Sequence, residues 1–352
     1  SRTGTTIQSF TYADGGDWPR GAANGHSLVY NSGDPSNGSN WSASRSLLGS
    51  PGTVEPGPEE FPDILVNEVL TNSVLPQVDT IELYNPNPAD IAVGGWFLTD
   101  DLGQPQKFRI PDETVVPGNG FISFDESDFN PSPGTDPSFA LDSYGEETFL
   151  VAADPSGARL DYVSGFDFDD ASAGIPYGRH VISTGTAQVV PLAGPTANAP
   201  NATPVAGPLV VTELMYHPAA FTPEFIEVTN ISGQPVSLAG AEVSGVGFVF
   251  EGNAPNLSPG GIIVLTEIEP DAFRSLYNIP ATVEIYGPYP GKLDNGGERL
   301  RIRLPEDSGI PDTPDLLVAA DTVIYSDGAP WPTAADGLGK SLERTHRRSY
   351  GG

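Results

Sequence analysis

Thr80-Ile81-Glu82-Leu83-Tyr84-Asn85 is the stretch that decides the fold. Apolar and polar side chains alternate along it with period two, which sets one row in a core and the other toward solvent, and Asn85-Pro86-Asn87-Pro88 ends it as a turn. Upstream stands Val66-Asn67-Glu68-Val69. Both blocks return in the same order as Val211-Thr212-Glu213-Leu214 and Ile226-Glu227-Val228-Thr229-Asn230. Further out, Val116-Pro117-Gly118-Asn119-Gly120-Phe121 matches Leu257-Ser258-Pro259-Gly260-Gly261-Ile262, and Leu141-Asp142-Ser143-Tyr144-Gly145-Glu146 matches Leu293-Asp294-Asn295-Gly296-Gly297-Glu298. The order is constant while the spacing drifts, as in duplicated domains whose strands stay fixed while their loops change length.

A third copy is partial. Asp17-Trp18-Pro19 and Gly25-His26-Ser27-Leu28 resemble Pro330-Trp331-Pro332 and Gly339-Lys340-Ser341-Leu342, so the chain is expected to open inside a domain and to be a piece of something longer. The expected division is residues 1–54 as the closing part of a domain, a linker at 55–62, a sandwich at 63–192, a linker at 193–208 and a second sandwich at 209–352. Both linkers are rich in Pro and poor in large apolar residues, which predicts extended connectors. The fold class expected is all-β, with tandem antiparallel sandwiches. Their predicted cores include Ile81, Leu83, Trp96, Phe121 and Phe124 in the first, and Ile226, Val228, Ile263, Leu265, Leu300 and Ile302 in the second. The best helical stretch is Pro270 to Tyr277.

Composition sets further bounds. The chain has 352 residues with Gly 41 and Pro 36, and its short alternating apolar runs favour a turn-rich β protein over disorder. With Cys 0, disulfides and thiolate metal sites are excluded. The net charge of −30 argues against nucleic acid and anionic lipid as partners, because phosphate binding needs cations. No apolar run approaches the length of a membrane span. An acidic, Cys-free, Asn/Asp/Gly/Pro-rich chain reads as secreted or cell-surface and bacterial, with a halophile's cytoplasm as the alternative. The positive charge gathers at one end, in Arg299, Arg301, Arg303, Lys340, Arg344, Arg347 and Arg348.

The motifs resemble the lamin tail domain. They are Asn67-Glu68-Val69 or Thr212-Glu213-Leu214, Ile81 to Asn85, Gly95-Trp96-Phe97-Leu98-Thr99-Asp100, Pro117 to Phe121, the Gly-Glu pairs at 145–146 and 297–298, and Asp336 to Glu343. The resemblance covers 61–203 and 206–349. It implies immunoglobulin-like β-sandwiches in a structural or adhesive setting, and it brings no catalytic residues. The second copy departs where Gly240-Ala241 replaces Gly95-Trp96, so its core must be filled differently there. It also lacks an ending of the kind seen at Asn40-Trp41-Ser42-Ala43-Ser44 and Gly49-Ser50-Pro51-Gly52.

Candidate chemistry is sparse. His26, His180, His217 and His346 are scattered, and Glu213-x-x-x-His217 lacks the second histidine of a zinc-protease helix. Glu68 with Glu82, and Glu213 with Glu227, form a carboxylate pair in each copy; acid/base work of glycosidase type is one reading and a repeated framework position the other. Acidic turns at Asp14 to Asp17, Asp125 to Asp128 and Asp167 to Asp170 offer hard oxygen donors, and Asp167, Asp169 and Asp170 are the first candidates for Ca²⁺.

The expected function is a non-enzymatic structural or adhesive protein of the cell exterior, with itself as partner, assembling head to tail into a filament or array. Self-association is expected to use Trp18 and Trp41, from a segment with unpaired strand edges, and the basic end at Arg299, Arg301, Arg303, Arg344, Arg347 and Arg348. The rival is a set of accessory binding or spacer modules of a larger secreted hydrolase.

Overall fold

A hairpin of β1 (His26–Tyr30) and β2 (Trp41–Leu47) comes first in the computed structural model, which describes residues 10–12, 18, 19, 26–53, 61–154, 157 and 159–352. The first half then runs β3 (Leu65–Leu70), β4 (Thr80–Tyr84), β5 (Ile91–Ala92), β6 (Phe97–Thr99), β7 (Phe108–Arg109), β8 (Val115–Val116), β9 (Phe121–Asp125), α1 (Glu126–Phe129), β10 (Glu146–Ala153), β11 (Arg159–Phe168), β12 (Tyr177–Val181) and β13 (Ala187–Pro191). The second half runs β14 (Leu209–Met215), β15 (Phe225–Asn230), β16 (Val236–Ser237), β17 (Glu242–Val243), β18 (Phe248–Val249), β19 (Asn256–Leu257), β20 (Ile262–Thr266), α2 (Pro270–Tyr277), β21 (Glu284–Tyr286), β22 (Arg299–Glu306), β23 (Leu316–Ile324) and β24 (Leu342–Glu343). The protein is therefore almost entirely β.

One sheet plan is built twice. The first half has sheets ordered β13-β12-β3-β4-β9 and β11-β10-β6-β7, and the second has β24-β14-β15-β20-β21 and β23-β22-β17-β18. The small β5-β8 ribbon has its counterpart in β16-β19. Each pair of large sheets shares one core, with Ile81, Leu83, Leu150 and Phe166 in the first and Ile226, Val228, Leu300 and Ile302 in the second. Even the register is copied. A bulge after Val66 places Glu68 opposite Glu82, and a bulge after Val211 places Glu213 opposite Glu227.

Repeated motifs have repeated physical causes. Asn85 and Asn230 are fully buried; each donates from Nδ2 to two backbone carbonyls, Ala89 and Val116 in one copy and Gln234 and Leu257 in the other. The Gly-Glu pair is dictated by a close approach. A Cβ on Gly145 would sit 2.6 Å from Phe168 O, and Gly297 lies closer still to Tyr325 O, both with positive φ. The glutamate that follows then accepts the turn's own amide, Asp142 N to Glu146 Oε1 at 2.6 Å and Asp294 N to Glu298 Oε1 at 2.9 Å.

Differences between the halves are equally physical. Trp96 and Ile110, bonded through Ile110 N to Trp96 O, are replaced by Ala241 and Phe250 bonded the same way, so a large–small pair becomes a small–large pair. Phe121 leaves the predicted core set: it stacks on Tyr84 on the outer face at 4.7 Å, because alternation along β9 turns Ile122 and Phe124 inward. The second five-stranded sheet is mixed rather than wholly antiparallel. Helix α2 carries the chain over its outer face, burying Phe273 against Met215, Phe225 and Val264, and delivers β21 parallel to β20.

Residues 193–203 do more than connect. Leu192 bridges Pro204, Ala193 N bonds Thr203 O, and the segment straps the outer face of β3 and β4. Residues 55–60 of the other expected linker lie outside the described residues.

Candidate functional site

Two acidic side chains directly opposite each other on antiparallel strands repel, so a cross-strand Glu pair needs donors. In the first half the strap supplies them. Thr196 donates from N and Oγ1 to Glu68 at 2.8 and 2.6 Å, and Asn198 N donates to Glu82 Oε2 at 2.5 Å. Asn67 Nδ2 and Ser123 Oγ complete the shell of Glu82. Both carboxylates are 2–3 % exposed, and burial pushes Glu68 up from the usual range and Glu82 up to about 7. Their oxygens thus accept from the strap's amides and hydroxyl and, at Glu82, from the Asn67 and Ser123 side chains.

The second pair has a thinner shell. Ser341 Oγ donates to Glu213 and Thr212 Oγ1 donates to Glu227 Oε1 at 2.7 Å, and both glutamates are half-buried. Beside them opens a cleft of about 390 Å³ whose walls include Thr212, Glu213, Trp331, Leu342, Arg344 and Tyr350.

The acidic turn proposed for Ca²⁺ lies where the two halves meet. Asp167 lies on β11 between the buried Phe166 and Phe168, so it faces away from the core and is exposed. Asp169 pairs with Arg301 on β22, and Asp170 Oδ2 accepts from Leu317 N at 2.6 Å. Asp167 thus points away from the contacts that engage its two neighbours, and among the described residues no group of three metal-ligating side chains converges. Asp125 and Asp128 form the capping box of α1, and Asp14 and Asp17 lie outside the described residues.

The basic end is largely engaged within the chain. Arg299 donates to Gln188 on β13, Arg301 pairs with Asp169, and Glu306 accepts from Ser172 Oγ and Ala173 N. Tyr144 OH reaches Pro314 O at 2.7 Å, and Gly207 N reaches Ala320 O at 2.8 Å. A cleft of about 280 Å³ separates Tyr177 and Pro191 from Leu304 and Val318 in this junction. Arg303 pairs with Glu242 inside its own sheet. Arg344 is held by the buried Asp321, whose other bond comes from Val211 N. Its counterpart Arg179 donates to Val66 O and Gly165 O, so this arginine is a repeated framework position. Arg347 and Arg348 are exposed.

Trp18 and Trp41 are half-buried against each other, ring centroids 5.9 Å apart, with Phe10 and Tyr30 also stacked on Trp41. Strand β2, which begins at Trp41, lies within 8 Å of β11 of the first sandwich. The histidines stay apart. His26 Nδ1 meets Ser44 O at 2.6 Å, His180 stacks edge-on against Tyr350, His217 Nδ1 meets Asp336 at 2.6 Å, and His346 is exposed. Sequence reasoning missed the strap residues Thr196 and Asn198; the Thr-x-Asn spacing after a strand was their only signal.

Among the described residues no helix is long and apolar enough to cross a membrane. Comparison with family models, curated proteins and solved structures finds no match for this chain.

Proposed function

We propose that this chain is a non-enzymatic structural or adhesive protein of the bacterial cell exterior, built of tandem lamin-tail-like, immunoglobulin-like sandwiches that associate head to tail. One observation carries the reading: a hairpin is set against the outer hairpin of the sandwich that follows, and this happens twice. The β1–β2 hairpin lies beside β11, and the β12–β13 hairpin meets the β22–β23 hairpin through Gln188 and Arg299. A rule that stacks each unit on the next is what an array needs. The carboxylates that suggested catalysis agree with it, since Glu68 and Glu82 accept from the strap and from Asn67 and Ser123, and Glu213 and Glu227 from Ser341 and Thr212.

The test is mass by light scattering across protein and salt concentration, for the whole chain and for a chain without residues 1–54. The expected result is mass that rises with concentration, falls with salt and is lost on deletion. A whole chain that stays monomeric at high concentration overturns the reading. Ca²⁺ binding at Asp167, Asp169 and Asp170 is tested separately by thermal unfolding. An ion would have to draw Asp169 from Arg301, and millimolar Ca²⁺ would then raise Tm; an unchanged Tm assigns these carboxylates to the junction.

A further inference from the structure

Lys107 is out of place for its residue type. Lys292 and Lys340 are exposed, whereas the Lys107 side chain is only 14 % exposed and its Nζ lies over the Phe139 ring, 5.9 Å from the centroid. That Nζ is 2.5 Å from Oδ1 of Asp100, whose side chain is 15 % exposed. The contact lacks the alignment of a hydrogen bond. Every other ion pair among the described residues is also a hydrogen bond, while Asp100 Oδ1 is buried and has no hydrogen-bond partner. An amine lying against a carboxylate oxygen in this way is one bond from the carboxyl carbon.

A third group stands beside the pair. Burial pushes Glu146 up to about 8; the Asp142 amide opposes the shift, the charges of Asp100 and Asp142 add to it, and Lys107 opposes it. Glu146 therefore senses both members of the pair and keeps its proton at neutral pH. Its counterpart Glu298 accepts from the Tyr325 hydroxyl at 2.9 Å, but Phe168 occupies the place of Tyr325 and offers no hydroxyl. The loops differ too. Residues 100–107 join β6 to β7, whereas 244–247 join β17 to β18 and carry neither Lys nor Asp. The arrangement thus belongs to the first half alone and is no part of the repeated framework.

We propose that Lys107 and Asp100 condense into an amide cross-link, Nζ to Cγ, with Glu146 as the neighbouring acid. The Nζ–Cγ bond forms and one Cγ–O bond breaks; Nζ keeps one of its three protons, and the other two leave with the departing oxygen as water. One positive and one negative charge disappear, and no oxidant or other reactant is consumed. Glu146 relays a proton from the nitrogen to that oxygen. Two groups held in contact react as if at very high concentration, which supplies the drive that a free amine and acid lack in water. With Cys 0 the chain has no disulfide, and this bond is a staple of another chemistry. It ties the ends of the loop at the edge of the four-stranded sheet, where β7 is only two residues long. The bond lies within one sandwich, so it is independent of head-to-tail assembly.

Intact-mass spectrometry of the full chain tests it. The wild type should weigh one water less than its sequence, and trypsin should fail to cut after Lys107, because the amide removes the charge that trypsin reads. K107R keeps the charge without the amine and should have the full mass. E146Q keeps an oxygen for the Asp142 amide but has no proton to relay, so it should close about a hundredfold more slowly after cell-free synthesis. A wild type at full mass overturns the cross-link. So does a water loss that persists in K107R or is reversed by mild alkali, since either marks a succinimide at Asp327-Gly328 or Asp336-Gly337 instead. Closure at the wild-type rate in E146Q overturns the part given to Glu146 and leaves the bond.

Discussion

Asn85 and Asn230 show how much one side chain can determine. Each closes a β-bend by donating to two backbone carbonyls, one of them on a buried residue (Val116 or Leu257), while its own Oδ1 caps the amide two residues on, Asn87 N or Ser232 N, at 2.9 Å. Replacing Asn85 by Ala orphans Ala89 O and Val116 O, and should cost about 3 kcal/mol in denaturant unfolding. The equivalent change at Asn230 should cost about the same, because the geometry is a copy. The buried carboxylates set a pH dependence. Glu82 is pushed up to about 7 and Glu146 up to about 8, both chiefly by burial. Their folded-state values lie above the unfolded one, so the native state binds more protons between roughly pH 4.5 and 8, and their contribution to stability is lost as pH rises through that window. Tm should be higher at pH 5 than at pH 8. E82Q and E146Q should each flatten that slope; a slope unchanged in both variants would assign it to the overall charge instead.

Elements repeat where their contacts repeat and diverge where a core can be filled in two ways. Strands β6 and β17 begin after the same glycine turn, but Trp96 with Ile110 in one becomes Ala241 with Phe250 in the other. W96A alone should cost about 3–5 kcal/mol through the cavity it leaves. The double variant W96A/I110F, which writes the second half's solution into the first, should recover a measurable part of that loss. Additive costs in the two variants would show that the two cores are not interchangeable. The existence of these strands was legible, because period two and turn residues mark them, and Ile81, Leu83, Ile226 and Ile302 are buried as the alternation requires. Phe121 was misplaced because a dense apolar run, Phe121 to Phe124, hides which parity faces inward. Strand β21 was missed because three residues, Glu284-Ile285-Tyr286, carry no periodicity of their own and are held by β20 and α2.

At the scale of the whole molecule, the uneven charge is resolved within the chain, where β22 lays Arg299 and Arg301 against the first half. The Arg301–Asp169 pair is partly exposed, so its own contribution should be only about 0–1 kcal/mol, yet Asp170, Ser172 and Glu306 act beside it. R301A should therefore change overall stability little while separating the unfolding transitions of the two halves in calorimetry. The recurrence of motifs and the all-β character were determined by sequence alone, since each follows from local alternation and turn chemistry. Which carboxylates would be buried, and that Thr196 and Asn198 would be their partners, was decided only by the tertiary structure. Those contacts join residues more than a hundred positions apart, and local periodicity carries no information about what a loop crosses after its strand has ended.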